Sequence, residues 1–182
     1  MTWALNPLQW YATPDGGLDF TQADPVEVAS AVIESGFRAM PLDMLPDAAT
    51  PPLVPAPGYL ELDLGAPPDD AFAAVADAVA AHVQAGLRVA FIADRVRPER
   101  LETPAVGAPL PVSLEKRIAC LAGVVKRIRR HGITPLLHQH VGTGIETEEE
   151  LAAALTETDI GLGLDTGHAT WAGMDPGALV DR

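Results

Sequence analysis

Short apolar runs alternate along this chain with longer segments in which apolar residues recur every three or four positions, the pattern of buried strands each followed by an amphipathic helix. Trp3 to Trp10 reads as a first strand. Asp24-Pro25-Val26-Glu27 then gives an N-cap, a proline at the first helical position and a glutamate three residues after the cap. Val28 with Val32 and Ala29 with Ile33 form the apolar stripe of that helix, and Gly36 is placed to end it. Phe37 to Asp43 is the second strand. Pro46 to Gly58, rich in proline and alanine and without period, reads as a loop or a shortened helix.

Tyr59 to Leu64 alternates apolar and acidic residues as a third strand does. A long helix follows from about Asp69, with Phe72, Val75, Val79 and Val83 on one face and Gly86 at its end. Leu87 to Ala93 is the fourth strand, with Asp94 at its carboxyl end. The polar, proline-containing stretch Arg95 to Val112 is longer than an ordinary strand-to-helix connection, and such loops often carry function. Ser113 caps a helix striped by Leu114, Ile118, Leu121, Val125 and Ile128, with Gly132 beyond its end. Ile133 to Val141 is the fifth strand, Thr147 to Glu150 a capping box, Ile160 to Asp165 the sixth strand, and Asp175-Pro176 opens one more helix.

Strand-helix units in this order make an α/β fold with a parallel sheet covered by helices. An open doubly wound sheet would carry a glycine-rich fingerprint after its first strand, and here that place holds Leu8-Gln-Trp-Tyr-Ala-Thr-Pro-Asp-Gly. Polar residues instead collect at the carboxyl ends of several strands: Asp43, Asp94, His138, His140 and Asp165 with His168 just beyond. That is where a (β/α)8 TIM barrel keeps its active site. A complete barrel takes about 250 residues, whereas this chain has 182 and six strand-helix units. The expectation is one TIM-barrel domain over 1–182, truncated after its sixth unit and incomplete at the C-terminus. The exposed edges of strands one and six would be an aggregation hazard in such a chain alone; a homo-oligomer is a possible assembly.

Composition narrows the partners. No apolar run reaches the ~18–20 residues of a membrane span, no basic-then-apolar leader opens the chain, and a single cysteine, Cys120, excludes an internal disulfide. A cytoplasmic enzyme away from membranes is the default. The net charge of −13 would repel a polyanion, so nucleic acid is not an expected partner and a small neutral or metal-bound substrate is.

Two stretches carry the chemistry, Leu136 to Glu146 and Gly161 to His168. His138 and His140 are separated by one residue, so on a regular strand both imidazoles point to the same face, where they serve as metal ligands or as acid and base. Asp165 ends a buried strand and must be paired, coordinated or used as a cap for the next turn; His168 lies within reach of the same pocket. Glu146 follows the Gly142-Thr-Gly144 turn and either folds back over the barrel mouth as a ligand or simply favours the helix N-terminus behind it. Asn6 and Trp10 on strand one, and Trp171 after strand six, are candidate substrate contacts, each indole serving equally as packing. His82 and His131 lie on helices and read as structural.

The pattern from His138 to Glu150, with Leu164 to Pro176, resembles the sugar phosphate isomerase/epimerase superfamily of xylose-isomerase-like barrels, and within it the inosose dehydratase branch. Asn6 to Trp10 is similar to the first strand of that branch. The resemblance implies a divalent ion (manganese, cobalt, magnesium or zinc) held by a Glu after strand five, the Asp matched by Asp165, a His after strand seven and a Glu after strand eight. His138 stands at the strand-five position, so either it replaces the Glu or Glu146 reaches in. The last two ligands have no counterpart before Arg182. The implied activity is proton abstraction next to the carbonyl of a sugar or polyol ketone. It ends in water loss in a dehydratase and in return of the proton in a ketose isomerase or epimerase; a non-catalytic sugar-binding fragment is the third expectation.

Overall fold

A computed structural model describes residues 3–14, 17–46 and 53–180. They fall into two compact units, one up to Gly58 and one from Tyr59 onward. In the first, α1 (Pro25–Glu34) is capped by the Asp24 carboxylate, which accepts from the Val26 N–H. Its Val28, Ala29 and Val32 pack with Tyr11, Met40 and Leu53 into a small core. β1 (Ala39–Pro41) pairs in parallel with β2 (Val54–Ala56).

Two expectations fail in this unit. The first strand is reduced to a single parallel bridge from Ala4 to Ala39, because Pro7 has no N–H for a ladder and the chain turns into a 3-10 coil over Leu8–Trp10. Part of the expected loop, Val54 to Ala56, is a strand: beside β1 it tolerates Pro55 as an edge strand does. Residues 47–52 of that loop lie outside the described residues.

The second unit holds a four-stranded parallel sheet in the order β3 (Tyr59–Leu62), β4 (Val89–Asp94), β5 (Thr134–Leu137) and β6 (Gly161–Leu162). Spatial order equals chain order with no reversal, so every crossover runs the same way round; this is how a barrel winds and a doubly wound sheet does not. The expected single helix after β3 is two, α2 (Pro68–Ala73) and α3 (Ala76–Gln84), interrupted at Val75, where φ is −113°. A short α4 (Pro98–Leu101) sits inside the long loop after β4. α5 (Leu114–Arg130) is capped by Ser113, and it lays Ile118, Leu121, Val125 and Ile128 on the buried residues Leu60, Leu62, Ile92 and Leu137. α6 (Glu148–Glu157) begins with the expected capping box of Thr147 and Glu150. α7 (Thr166–Trp171) and α8 (Pro176–Val180) follow β6. Among the described residues no helix is long and apolar enough to cross a membrane.

Buried charge fastens the loops at the carboxyl end of this sheet. Asp94, 2% exposed, accepts from the Leu64 and Gly144 N–H groups and from Nε and Nη2 of Arg97. A side chain at Gly144 would collide with that carboxylate. Arg100 makes a two-pronged pair with Glu150, at 2.8 and 2.6 Å, and meets Glu146 at 3.0 Å. Arg117 adds a third contact to Glu150 at 2.8 Å. The expected polar strand end at Asp94 is thus committed to holding loops, while Asp43 lies in an exposed 3-10 turn of the first unit.

Candidate functional site

Four side chains meet beyond β5 and β6. His138 continues β5 by one residue, its N–H donating to the Ile92 carbonyl at 2.8 Å. The alternation of an extended chain then leaves His138 and His140 half-buried and turns Gln139, 1% exposed, inward. Gln139 grips the neighbouring strand end at two points: its Nε2 donates to the Asp165 carbonyl at 2.8 Å and its Oε1 accepts from the Asp165 N–H at 3.5 Å. Asp165 is also the N-cap of α7, its Oδ1 accepting from the His168 N–H at 2.8 Å. That cap folds residue 168 back over residue 165.

The imidazole of His168 lies 3.7 Å from that of His140 and 5.8 Å from that of His138, centre to centre. One ligand atom each from His138, Asp165 and His168 lie within 4.8 Å of one another. His138 Nε2 and Asp165 Oδ2 are 3.9 Å apart, too long for a hydrogen bond and within the span of two ligands that each stand about 2.1 Å from one ion. The rings of Tyr59 and Phe91 approach His138 at 5.7 and 6.5 Å and form its apolar side.

The electrostatics suit ligation. Burial, then the neighbouring His140, push the His138 imidazole below its ordinary pKa, against the pull of Asp165; burial and His140 do the same to His168. Both rings are therefore held in the neutral form that binds metals. Burial alone raises the Asp165 carboxyl, but the His168 N–H and the two imidazoles outweigh it and leave the group below the usual carboxylate value. In His140 the Nδ1 lies 2.7 Å from the Val141 carbonyl, which only accepts, so Nδ1 carries a proton and the lone pair of the neutral ring is on Nε2.

Of the residues singled out in the sequence, His138, His140, Asp165 and His168 come together. Glu146 does not join them. It is fully buried and accepts from the N–H groups of Ala105, Gly107 and Gly142, besides pairing with Arg100. With its oxygens turned to these donors it is a loop anchor, and of the two strand-five alternatives it is His138 that stands at the cluster. Trp171 is 62% exposed, three residues after His168 and on the same side of α7. Asn6 is exposed and Trp10 packs on the core of the first unit. His82 and His131 are structural: one bonds the Ala78 carbonyl, the other stacks on Phe72. Gln139 was missed, although a polar residue between two same-face histidines is a visible signal for a strut on the opposite face.

No family model matches the chain. Over 64 residues it is 36% identical to the rhizopine catabolism protein MocC of Rhizobium meliloti, a stretch of 34% of this chain and 20% of that protein. Over 59 residues it is 37% identical to the inosose dehydratase of Lacticaseibacillus casei, 31% of this chain and 20% of the relative. The matched stretch thus spans a fifth of these relatives' length. Among solved structures it is similar to a probable 3-DHS dehydratase, AsbF, of Bacillus anthracis, with a TM-score of 0.61 at 15% identity over 97% of this chain and 67% of that one. It is also similar to a xylose isomerase-like TIM barrel protein of Mycobacterium smegmatis solved with magnesium, with a TM-score of 0.59 at 18% identity over 92% and 65% of the two chains. Strand order and these structures show the fold of a TIM barrel, and the stretch shared with inosose dehydratase is a partial likeness over 31% of the chain.

Proposed function

We propose that this chain belongs to a metal-dependent lyase of the inosose dehydratase type, which removes a proton next to the carbonyl of a polyol ketone and expels a β-hydroxyl as water. The observation that carries the reading is the convergence of His138, Asp165 and His168. Two neutral imidazoles and one ionised carboxylate suit manganese, cobalt or zinc, and magnesium less well because it favours oxygen. When bound, the ion would polarise the ketone oxygen and acidify the neighbouring C–H. His140, its ring 3.7 Å from that of His168, takes that proton on Nε2 when it acts as the neutral base. The electron pair of the broken C–H bond forms the new double bond, the β C–O bond breaks, and the proton on His140 passes to the departing hydroxyl. Water leaves without change of oxidation state. Trp171 offers the flat apolar wall a sugar ring stacks on.

Titration of the 182-residue chain with manganese, cobalt, zinc and magnesium, followed by product analysis on an inosose, tests the reading. Saturable metal binding with chelator-sensitive water loss supports it. A product of altered stereochemistry with no water lost makes the enzyme an epimerase, and absence of metal binding removes the proposal. The pH dependence has a definite sign. His138 and His168 compete with protons for the metal and both pKa values are lowered, so affinity should be flat down to the ordinary imidazole value of about 6.5 and fall only below it. A fall that begins above that value would show that other groups bind the ion.

Gln139→Leu keeps the volume but loses both bonds to the Asp165 backbone. Affinity for cobalt is expected to drop about 10–100-fold, the usual cost of removing a support behind a ligand. Unchanged affinity in the folded variant would mean that the cap alone holds Asp165.

A further inference from the structure

A cavity of about 570 Å³ opens beside the carboxyl ends of β3 and β4 and shares no residue with the histidine cluster. Its lining brings Arg95, Arg97 and Arg117 against Asp63 and Glu99, with Leu110 to Val112 as an apolar wall. We propose that this cavity is a binding site for the oxyanion of a small molecule, a carboxylate or a phosphate group. In a chain of net charge −13, a pocket in which guanidinium groups outnumber carboxylates is against the trend of the surface.

Protein contacts leave donors over. Arg117 is 4% exposed; its Nη1 donates to the Val112 carbonyl and its Nη2 to Glu150, but its Nε has no hydrogen-bond partner. A buried N–H of a charged group without an acceptor is costly, and an arriving oxyanion removes that cost. Arg97 spends Nε and Nη2 on Asp94 and Asp63; no described residue accepts from its Nη1, which stands beside Gly65. Arg95 is half-exposed and, among the described residues, its guanidinium meets only Asp63, at 3.2 Å, so it is free to swing onto a ligand. Asp63 is already engaged by both arginines and the Gly65 N–H. Glu99 lies on the exposed rim, where solvent and salt screen it. Burial, with Arg100 and Arg97 close by, holds the Arg117 guanidinium below its ordinary pKa despite Glu150; an anion would reverse that push. The volume suits a small metabolite rather than a macromolecule.

The test is titration of the intact chain with inorganic phosphate and, separately, with malonate, at constant ionic strength set with chloride, while the Arg117 Nε–H resonance is followed by NMR and binding by calorimetry. The expected result is saturable binding of one or both anions, a shift of the Arg117 resonance, and about tenfold weaker binding in Arg95→Gln, the loss of one charge-assisted bond. Binding of phosphate alone assigns a phosphoryl ligand and of malonate alone a carboxylate. Absence of saturation with both, or saturation that leaves the Arg117 resonance in place and is indifferent to Arg95→Gln, overturns the proposal. Arg117→Lys, which keeps the charge and removes Nε, should abolish the binding; if it does not fold, the resonance and Arg95→Gln still decide.

Discussion

Asp165→Asn is expected to weaken metal binding and to lower turnover by about 10³-fold, with α7 still folded. The two jobs of this residue separate in that substitution. As N-cap, Asp165 needs only an acceptor for the His168 N–H, and the Asn side-chain oxygen serves as well. As ligand it needs the negative charge that the His168 N–H and the two imidazoles favour despite burial, and Asn has none. Asp165→Ala loses both, so its thermal midpoint should fall further, by the equivalent of about 1 kcal/mol for the lost cap. Calorimetric titration with manganese and a melting curve on each variant check this. If Asn bound metal within about threefold of the parent, the carboxylate would be a cap and the proposed centre would be gone.

The site and the second unit were legible wherever the signal is local. Ser113, Thr147 and Glu150 cap their helices as their spacing indicates, and the apolar runs that stop at His138 and Asp165 do end side by side on β5 and β6. What was misread depends on partners far along the chain. Glu146 after a glycine turn looks the same in sequence whether it will bind an ion or anchor a loop; Arg100, Ala105 and Gly107 decide it, and they lie in a stretch without periodicity. The first strand failed because a single proline outweighs an apolar pattern. The edge strand β2 was hidden for the converse reason: proline argues against a strand in general but not against one whose outer side needs no ladder bond.

Arg100→Met is expected to destabilise the second unit by about 3–5 kcal/mol, measured as a fall in the guanidinium chloride midpoint. That is a large part of the roughly 5–15 kcal/mol that holds a domain together. Among the described residues Arg100 is the one cation that touches both buried carboxylates, Glu146 and Glu150. Methionine fills its space but leaves Glu146 without a cation and Glu150 with Arg117 alone. Arg100→Lys should fall between the two, since it keeps the charge but not the two-pronged fit to Glu150. The consequence reaches the proposed site, because Glu146 accepts from the Gly142 N–H in the turn that follows His140. The loss should carry a pH signature. Burial pushes the Glu150 carboxyl up, but Arg100 and the helix-start N–H groups pull it below its ordinary value. The stabilisation is therefore present above the unfolded glutamate value of about 4.3 and is lost as pH falls through the lower folded value. The gap between parent and Arg100→Met should then be widest near neutrality and close in acid, as the Glu150 carboxylate takes up its proton. A gap that stayed constant from neutral to acid would assign the destabilisation to packing around the guanidinium and not to the charge it neutralises.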